Sequence, residues 1–194
     1  MRKLLVAVVA GVIGVSASTA QADSLKTTGY VGISQADLKQ YNPYFADGKK
    51  HIKTQTTFIR VGGDINEYFS SELRVGTSTK TKKGPANQGT ADSLNINQGE
   101  KATYSHFVVA SALLKAGYPV GPIKPYVAVG YTFGKEKVSA NGKDEKANYD
   151  HYTYGAGVDV SLGRRVLLSG EWLQYDNHAG VRVKGPAVGL AVRF

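Results

Sequence analysis

From Lys184 to Phe194 the chain reads KGPAVGLAVRF, with apolar Val188, Leu190, Val192 and Phe194 alternating with small or charged Ala187, Gly189, Ala191 and Arg193. A period of two belongs to a β-strand with unlike faces. In an open sheet, such a final strand would leave unpaired N–H and C=O groups along an apolar edge, which invites aggregation. Closing the sheet removes the edge, because the last strand then pairs with the first. An ordinary terminal strand of a soluble domain is the alternative, and the other end of the chain weighs against it.

Arg2 and Lys3 precede an apolar run from Leu4 to Val15, and Ala20-Gln21-Ala22 follows as an A-x-A cleavage site. This is the layout of a secretory signal peptide, too short to span a bilayer as a helix. Residues 1–22 are therefore expected to be removed, with Ala20 and Ala22 at the cleavage site and a single domain over 23–194. Removing Arg2 and Lys3 leaves 24 − 2 = 22 basic against 15 acidic residues, a charge of +7. An exported chain is an improbable nucleic-acid binder, so the excess points to anionic lipid or polysaccharide. There is no cysteine, so disulfides are not the source of stability.

Beyond the leader no run of 18 apolar residues remains, which excludes a helical membrane protein. With 23 glycines, 12 tyrosines and alternating segments between polar stretches, the remainder reads as all-β. Transmembrane strands need about 9–11 residues with apolar positions outward and polar ones inward. Candidates run over 27–38, 52–63, 68–77, 103–117, 125–133, 152–160 and 166–175, with a closing strand to Phe194. An eight-stranded antiparallel up-and-down transmembrane barrel follows. Arg60 on the lipid face near the midplane would cost about 2–4 kcal/mol, so it points inward. The fourth candidate is apolar on both faces. Lys115 pointing inward sends Val108, Ala110, Ala112 and Leu114 to lipid, while a snorkelling Lys115 would allow the reverse. Pro186 is expected to mark a bulge or the upper limit of pairing.

Short turns near residues 64, 120 and 163 alternate with long polar stretches near 45, 90, 143 and 178. Short turns on one side and long loops on the other are the asymmetry of an outer-membrane barrel of a Gram-negative bacterium. Phe69, Tyr118, Tyr126 and Phe194 near the turn end, with Tyr131, Phe133, Tyr152, Tyr154 and Trp172 near the loop end, form two aromatic belts. A lipocalin-like soluble barrel is the rival, with apolar faces turned inward; the terminal Phe194 and the loop asymmetry favour the membrane.

Gly189, Val192 and Phe194 resemble the assembly signal at the end of outer-membrane barrels, although Ala187 stands where a polar residue is usual. Asn66-Glu67-Tyr68-Phe69-Ser70-Ser71-Glu72, Lys115-Ala116-Gly117-Tyr118-Pro119, Gly155-Ala156-Gly157-Val158-Asp159 and Glu171-Trp172-Leu173-Gln174-Tyr175 resemble successive strands of the small OmpA-like and OmpX-like eight-stranded barrels. The resemblance extends over nearly the whole chain after the leader. It implies the cell outer membrane as location, with periplasmic chaperones and the barrel-assembly machinery as partners during export. It also implies an interior lysine and arginine exchanging between two acids to gate a narrow water path. By position Glu72 and Lys115 match one acid and the lysine, Asp159 matches the other acid, and Ser169 replaces the arginine. The peptidoglycan-binding domain of the longer relatives is not expected.

Independently of the resemblance, alternation sends Arg60, Glu72, Arg74, Lys115, Asp159, Glu171 and Arg193 inward. A barrel of this size is just wide enough for side chains to fill, and charges inside it must pair. Such pairs either satisfy one another in a plugged core or gate a pore.

Three functional classes follow. The first is a structural and surface-interaction barrel, contributing to membrane integrity and touching lipopolysaccharide or host-surface molecules through basic loops such as the Lys80, Lys82 and Lys83 cluster. The second is a narrow gated pore for water, ions or small solutes. The third, a lipid-modifying enzyme, needs Ser, His and an acid converging. Ser105 and His106 are adjacent on a strand and so face opposite ways, which leaves no triad. The histidines show no metal-ligand spacing, and neither a cofactor nor a catalytic step is expected.

Overall fold

In a computed structural model the described residues are 28–41, 51–80, 82–85, 97, 101–140, 143–178 and 181–194. The leader expected over 1–22 lies outside them. The described chain is a succession of strands: β1 (Gly29–Tyr41), β2 (His51–Asp64), β3 (Phe69–Lys80), β4 (Lys82–Pro85), β5 (Lys101–Gly117), β6 (Ile123–Ala140), β7 (Lys143–Leu162), β8 (Val166–His178) and β9 (Val181–Arg193). Apart from β3 and β4, which both lie against β5, each strand pairs antiparallel with its neighbours in sequence, and β9 pairs with β1. With β3 and β4 forming one stave, the result is a closed eight-stranded barrel.

Closure follows from the alternation. Outward positions are apolar and exposed, among them Ile59, Val75, Val127, Val188 and Leu190, while their chain neighbours are buried. A greasy outside with a polar inside is the pattern of a barrel in lipid, because the bilayer core offers no partner for an open edge. The soluble rival with apolar faces turned inward is thereby set aside. Lys115 is buried and Leu114 exposed, so the expected orientation of the fourth stave holds.

Three short turns close one end. Asn66 Oδ1 accepts from the backbone of Tyr68 (2.9 Å) and Phe69 (2.8 Å) in the first, and Gly121 and Gly163 adopt positive φ in the other two.

The structure corrects the sequence reading in three places. Residues 135–150 were expected to be a loop, yet β6 and β7 stay in register up to Ala140 and Lys143, and β4 extends a ladder into the second expected loop. Outside the bilayer the outer face meets water instead of lipid, so the apolar period vanishes while the backbone ladder persists. Pro186 marks neither a bulge nor an end. The β1–β9 register skips two positions, between Ala36↔Ala187 and Lys39↔Lys184, and resumes unchanged. Tyr126 leaves the expected belt for the interior, where it is buried; its inward parity on β6 overrides its aromatic character.

The interior is layered. Tyr30, Leu167 and Ala191 pack near the turn end. A larger apolar layer lies toward the loop end, including Leu38, Phe58, Val109, Leu173 and Tyr175. Phe58 and Tyr175 stack there with centroids 5.8 Å apart. Between the two layers sits the polar cluster.

Candidate functional site: the charge cluster within the barrel

β2 and β3 bring Arg60 and Arg74 into direct opposition, and Glu72 lies one inward step along β3. Alternation puts all three on the inner face, where each is essentially fully buried. Glu72 is the hub. Arg60 donates to it through Nε (3.1 Å) and Nη2 (2.7 Å), Arg74 donates through Nε, and Lys115 Nζ lies 3.0 Å from Oε2. Tyr30 donates its hydroxyl proton to the same oxygen.

Arg74 spans the barrel. It forks onto Glu171, with Nη2 2.8 Å from Oε2, and Tyr126 donates to Oε2 at 2.7 Å. Lys115 reaches Asp159 at 3.6 Å and lies 4.4 Å from the centre of the Tyr126 ring. Three cations thus face three carboxylates, and the cluster is formally neutral. Neutrality with bidentate geometry is what such burial demands, since one uncompensated charge costs several kcal/mol.

A repeated cross-strand row sets the geometry. Tyr30 of β1, Gly62 of β2 and Glu72 of β3 are successive partners, as are Tyr126 of β6, Gly157 of β7 and Glu171 of β8. A Cβ on Gly62 or Gly157 would run into the tyrosine ring beside it, at 2.5 Å and 2.6 Å. The glycine lets each ring lie flat on the wall, so that its hydroxyl meets the glutamate beyond.

Of the residues expected inside, Arg60, Glu72, Arg74, Lys115, Asp159 and Glu171 come together. Arg193 does not join them. It sits at the turn end, where Nη1 donates to Ser161 Oγ at 2.8 Å; as the last residue of β9, it is at the barrel mouth. Ser169 is buried with no protein partner for Oγ, and arginines from β2 and β3 supply the charge that the resemblance places on this strand. Gly189 has a packing reason: a Cβ there would collide with Arg60 Nη1. Val192 and Phe194 face outward, and Phe194 N donates to Gly29 O at 2.9 Å. Tyr30, Tyr126 and Tyr175 escaped the sequence reading as members of the cluster. Parity on their strands was the available signal, but only the register shows which carboxylate each one meets.

The side chains of Lys80, Lys82 and Lys83, and of Ser105 and His106, lie outside the described residues; Lys82 and Lys83 lie on β4, opposite Tyr104 and Thr103. Among the described residues no group of His, Asp and Glu could hold a metal ion.

Comparison with known proteins agrees with this architecture. A family described as the outer membrane protein beta-barrel domain matches residues 7–194. Among solved structures, Ail of Yersinia pestis, crystallised with the heparin analogue sucrose octasulfate, superposes with a TM-score of 0.60 at 12% identity, covering 88% of this chain and all of that one. Neisserial surface protein A gives 0.56 at 18% identity, covering 86% and 97%. The N-terminal barrel of Pseudomonas aeruginosa OprF gives 0.53 at 10%, covering 88% and 98%. No curated protein sequence matches the chain.

Proposed function

Because the chain belongs to the outer membrane protein beta-barrel family, and so resides in the cell outer membrane, we propose that it is a structural and surface-interaction barrel with a plugged interior. The observation that carries the plug is the neutral cluster around Glu72 and Arg74, held between an apolar layer below and the Phe58–Tyr175 layer above. An apolar layer on each side of a charge-neutral cluster leaves little for water or an ion to follow. The basic loops, with Lys80, Lys82 and Lys83, then contribute a salt-sensitive attraction to lipopolysaccharide or host-surface polyanions. That Ail, of the same fold, was crystallised with a sulfated heparin analogue supports this reading. It assigns no catalytic step. Export runs through a leader cleaved after Ala22, periplasmic chaperones and the barrel-assembly machinery, for which Gly189, Val192 and Phe194 serve as the signal. Amino-terminal sequencing of the mature protein should begin at Asp23.

A second reading, a narrow gated path, has one observation in its favour. Lys115 Nζ stands 3.0 Å from Glu72 and 3.6 Å from Asp159, so a small rotation could exchange its partner. Planar-bilayer recording separates the two. The plug gives no sustained current; discrete steps that vanish in Glu72→Ala or Lys115→Ala overturn it. Charge reversal of Lys80, Lys82 and Lys83 should weaken binding to heparin and to anionic glycolipid alike, and unchanged binding to both retires the loop contribution.

A further inference from the structure

The outer face of the wall around the seam carries a charge arrangement that the interior does not explain. Lys39 of β1 lies directly opposite Lys53 of β2 and directly opposite Lys184 of β9. All three occupy outward positions, Lys39 and Lys53 exposed and Lys184 half-buried, and Arg182, also exposed, lies one outward step beyond Lys184. Like charges directly opposite across a ladder destabilise it. The acid nearest in register, Asp37, lies one outward step below, and its Oδ1 accepts from Gln55 Nε2 at 3.0 Å.

Height gives the row a location. Lys39, Lys53 and Lys184 are each ten residues from the turn-end level, where Gly29 pairs with Gly63 and accepts from Phe194 N. At about 3.3 Å per residue and a tilt near 40°, ten residues rise about 25 Å, the height of the apolar band of such barrels. The ammonium groups therefore sit at the level of the headgroups on the loop side, above the hydrocarbon. Below Lys184 the wall is apolar through Pro186, Val188 and Leu190, whereas below Lys39 and Lys53 the outward positions are Asp37, Gln35, Gln55 and Thr57 before Ile33 and Ile59 are reached. Lys184 Nζ lies 5.4 Å from the Trp172 ring centre, which holds it along the wall. A concavity of about 380 Å³ opens among Asp37, Lys39, Lys53, Gln55 and Pro186, where the β1–β9 ladder is interrupted.

We propose that Lys39, Lys53 and Lys184, with Arg182 above them, bind the phosphates of an outer-leaflet glycolipid whose acyl chains run down the wall beneath. Cations at the level of the headgroups beside the apolar strip of Leu168, Trp172, Pro186, Val188 and Leu190 on β8 and β9 suit an amphiphile rather than a free polyanion. An anion between the lysines also removes the repulsion that the register imposes. The site depends on the barrel lying in the outer membrane and is separate from the loop cluster at Lys80, Lys82 and Lys83.

The test uses the full barrel reconstituted in phosphatidylcholine nanodiscs, with bisphosphorylated lipid A as the probe. The K39Q/K53Q/K184Q variant should bind about tenfold more weakly, the scale set by removing a few charge-assisted hydrogen bonds to phosphate. A charge-matched K135Q/R164Q/R165Q variant should bind like the wild type, and dephosphorylated lipid A should bind the wild type as weakly as the probe binds the triple variant. Wild-type affinity in the triple variant, or equal affinity for the dephosphorylated lipid, overturns the site. Displacement of lipid A by soluble sucrose octasulfate at equal concentration overturns its assignment to a lipid. If the triple variant fails to show the heat-modifiable gel shift of a folded barrel, Lys39→Gln alone, the shared neighbour of both pairs, gives the same reading at smaller amplitude. Loss of binding on reversing the loop lysines with none in the triple variant sustains the loop reading and overturns this one.

Discussion

Glu72 accepts from two arginines and a tyrosine and pairs with a lysine, all within the barrel, so it should be the most costly of the carboxylates to remove. Glu72→Ala leaves three cations facing two acids, and breaking a buried pair in this way costs about 3–5 kcal/mol. Asp159 has its ion pair at 3.6 Å and is less deeply buried; Asp159→Asn, which keeps a polar side chain beside Lys115, should cost less, about 1–3 kcal/mol. Urea unfolding from phospholipid vesicles measures both, and an equal cost would deny Glu72 its central place. The repeated tyrosine rows predict that Tyr30→Phe and Tyr126→Phe each lose about 1.5–3 kcal/mol, since each removes a hydrogen bond to a charged acceptor. A loss confined to one of them would show that the rows are not equivalent. The sequence exposed the charged members of this cluster because a charge cannot face lipid, and that argument needs parity alone. It could not expose the partners of each carboxylate, because cross-strand register depends on turn geometry and barrel stagger. Arg193 has the right parity and the wrong height, which shows where parity stops being sufficient.

The strands were legible where lipid imposes alternation and illegible where it does not. Phe133 is the last strongly apolar outward residue of β6, yet the ladder continues to Ala140 and β7 begins at Lys143. Beyond the bilayer charged residues occupy both faces, so no period betrays the strand, although every backbone partner is in place. Hydrogen exchange checks this extension. Amides between Lys135 and Ala140 should exchange at least about tenfold more slowly than an unstructured chain, and faster than those between Tyr126 and Phe133, because ladders outside the membrane open locally. Exchange at the unstructured rate throughout 135–140 would return the segment to the loop first read from its composition. Pro186 belongs to the same scale. Pro186 is expected to mark a bulge or the upper limit of pairing, but closure holds β1 and β9 together on both sides of the gap, so the lost donor costs two positions of ladder and no register.

Closure is a property of the whole chain, and it rests on β1 meeting β9 in one register. Ile33 opposes Leu190 there, both outward and exposed. Opposed residues of an antiparallel pair have Cα atoms about 4.5–5.5 Å apart, within the range a disulfide spans. The chain has no cysteine, so an engineered pair is free of background. Ile33→Cys with Leu190→Cys should cross-link on mild oxidation of the vesicle-embedded barrel and remain open in urea. Ile33→Cys with Ala191→Cys is the control. Ala191 points into the barrel, and a slip of one residue would turn every side chain of β9 to the opposite face. Cross-linking of the first pair alone establishes closure in this register. Cross-linking of the second would mean that β9 has slipped, which would remove Gly189 from Arg60 and separate Lys184 from Lys39. The interior cluster and the proposed lipid site therefore depend on the same seam: a slipped seam leaves Arg60 facing a side chain it has no room for, and no lateral lysine row.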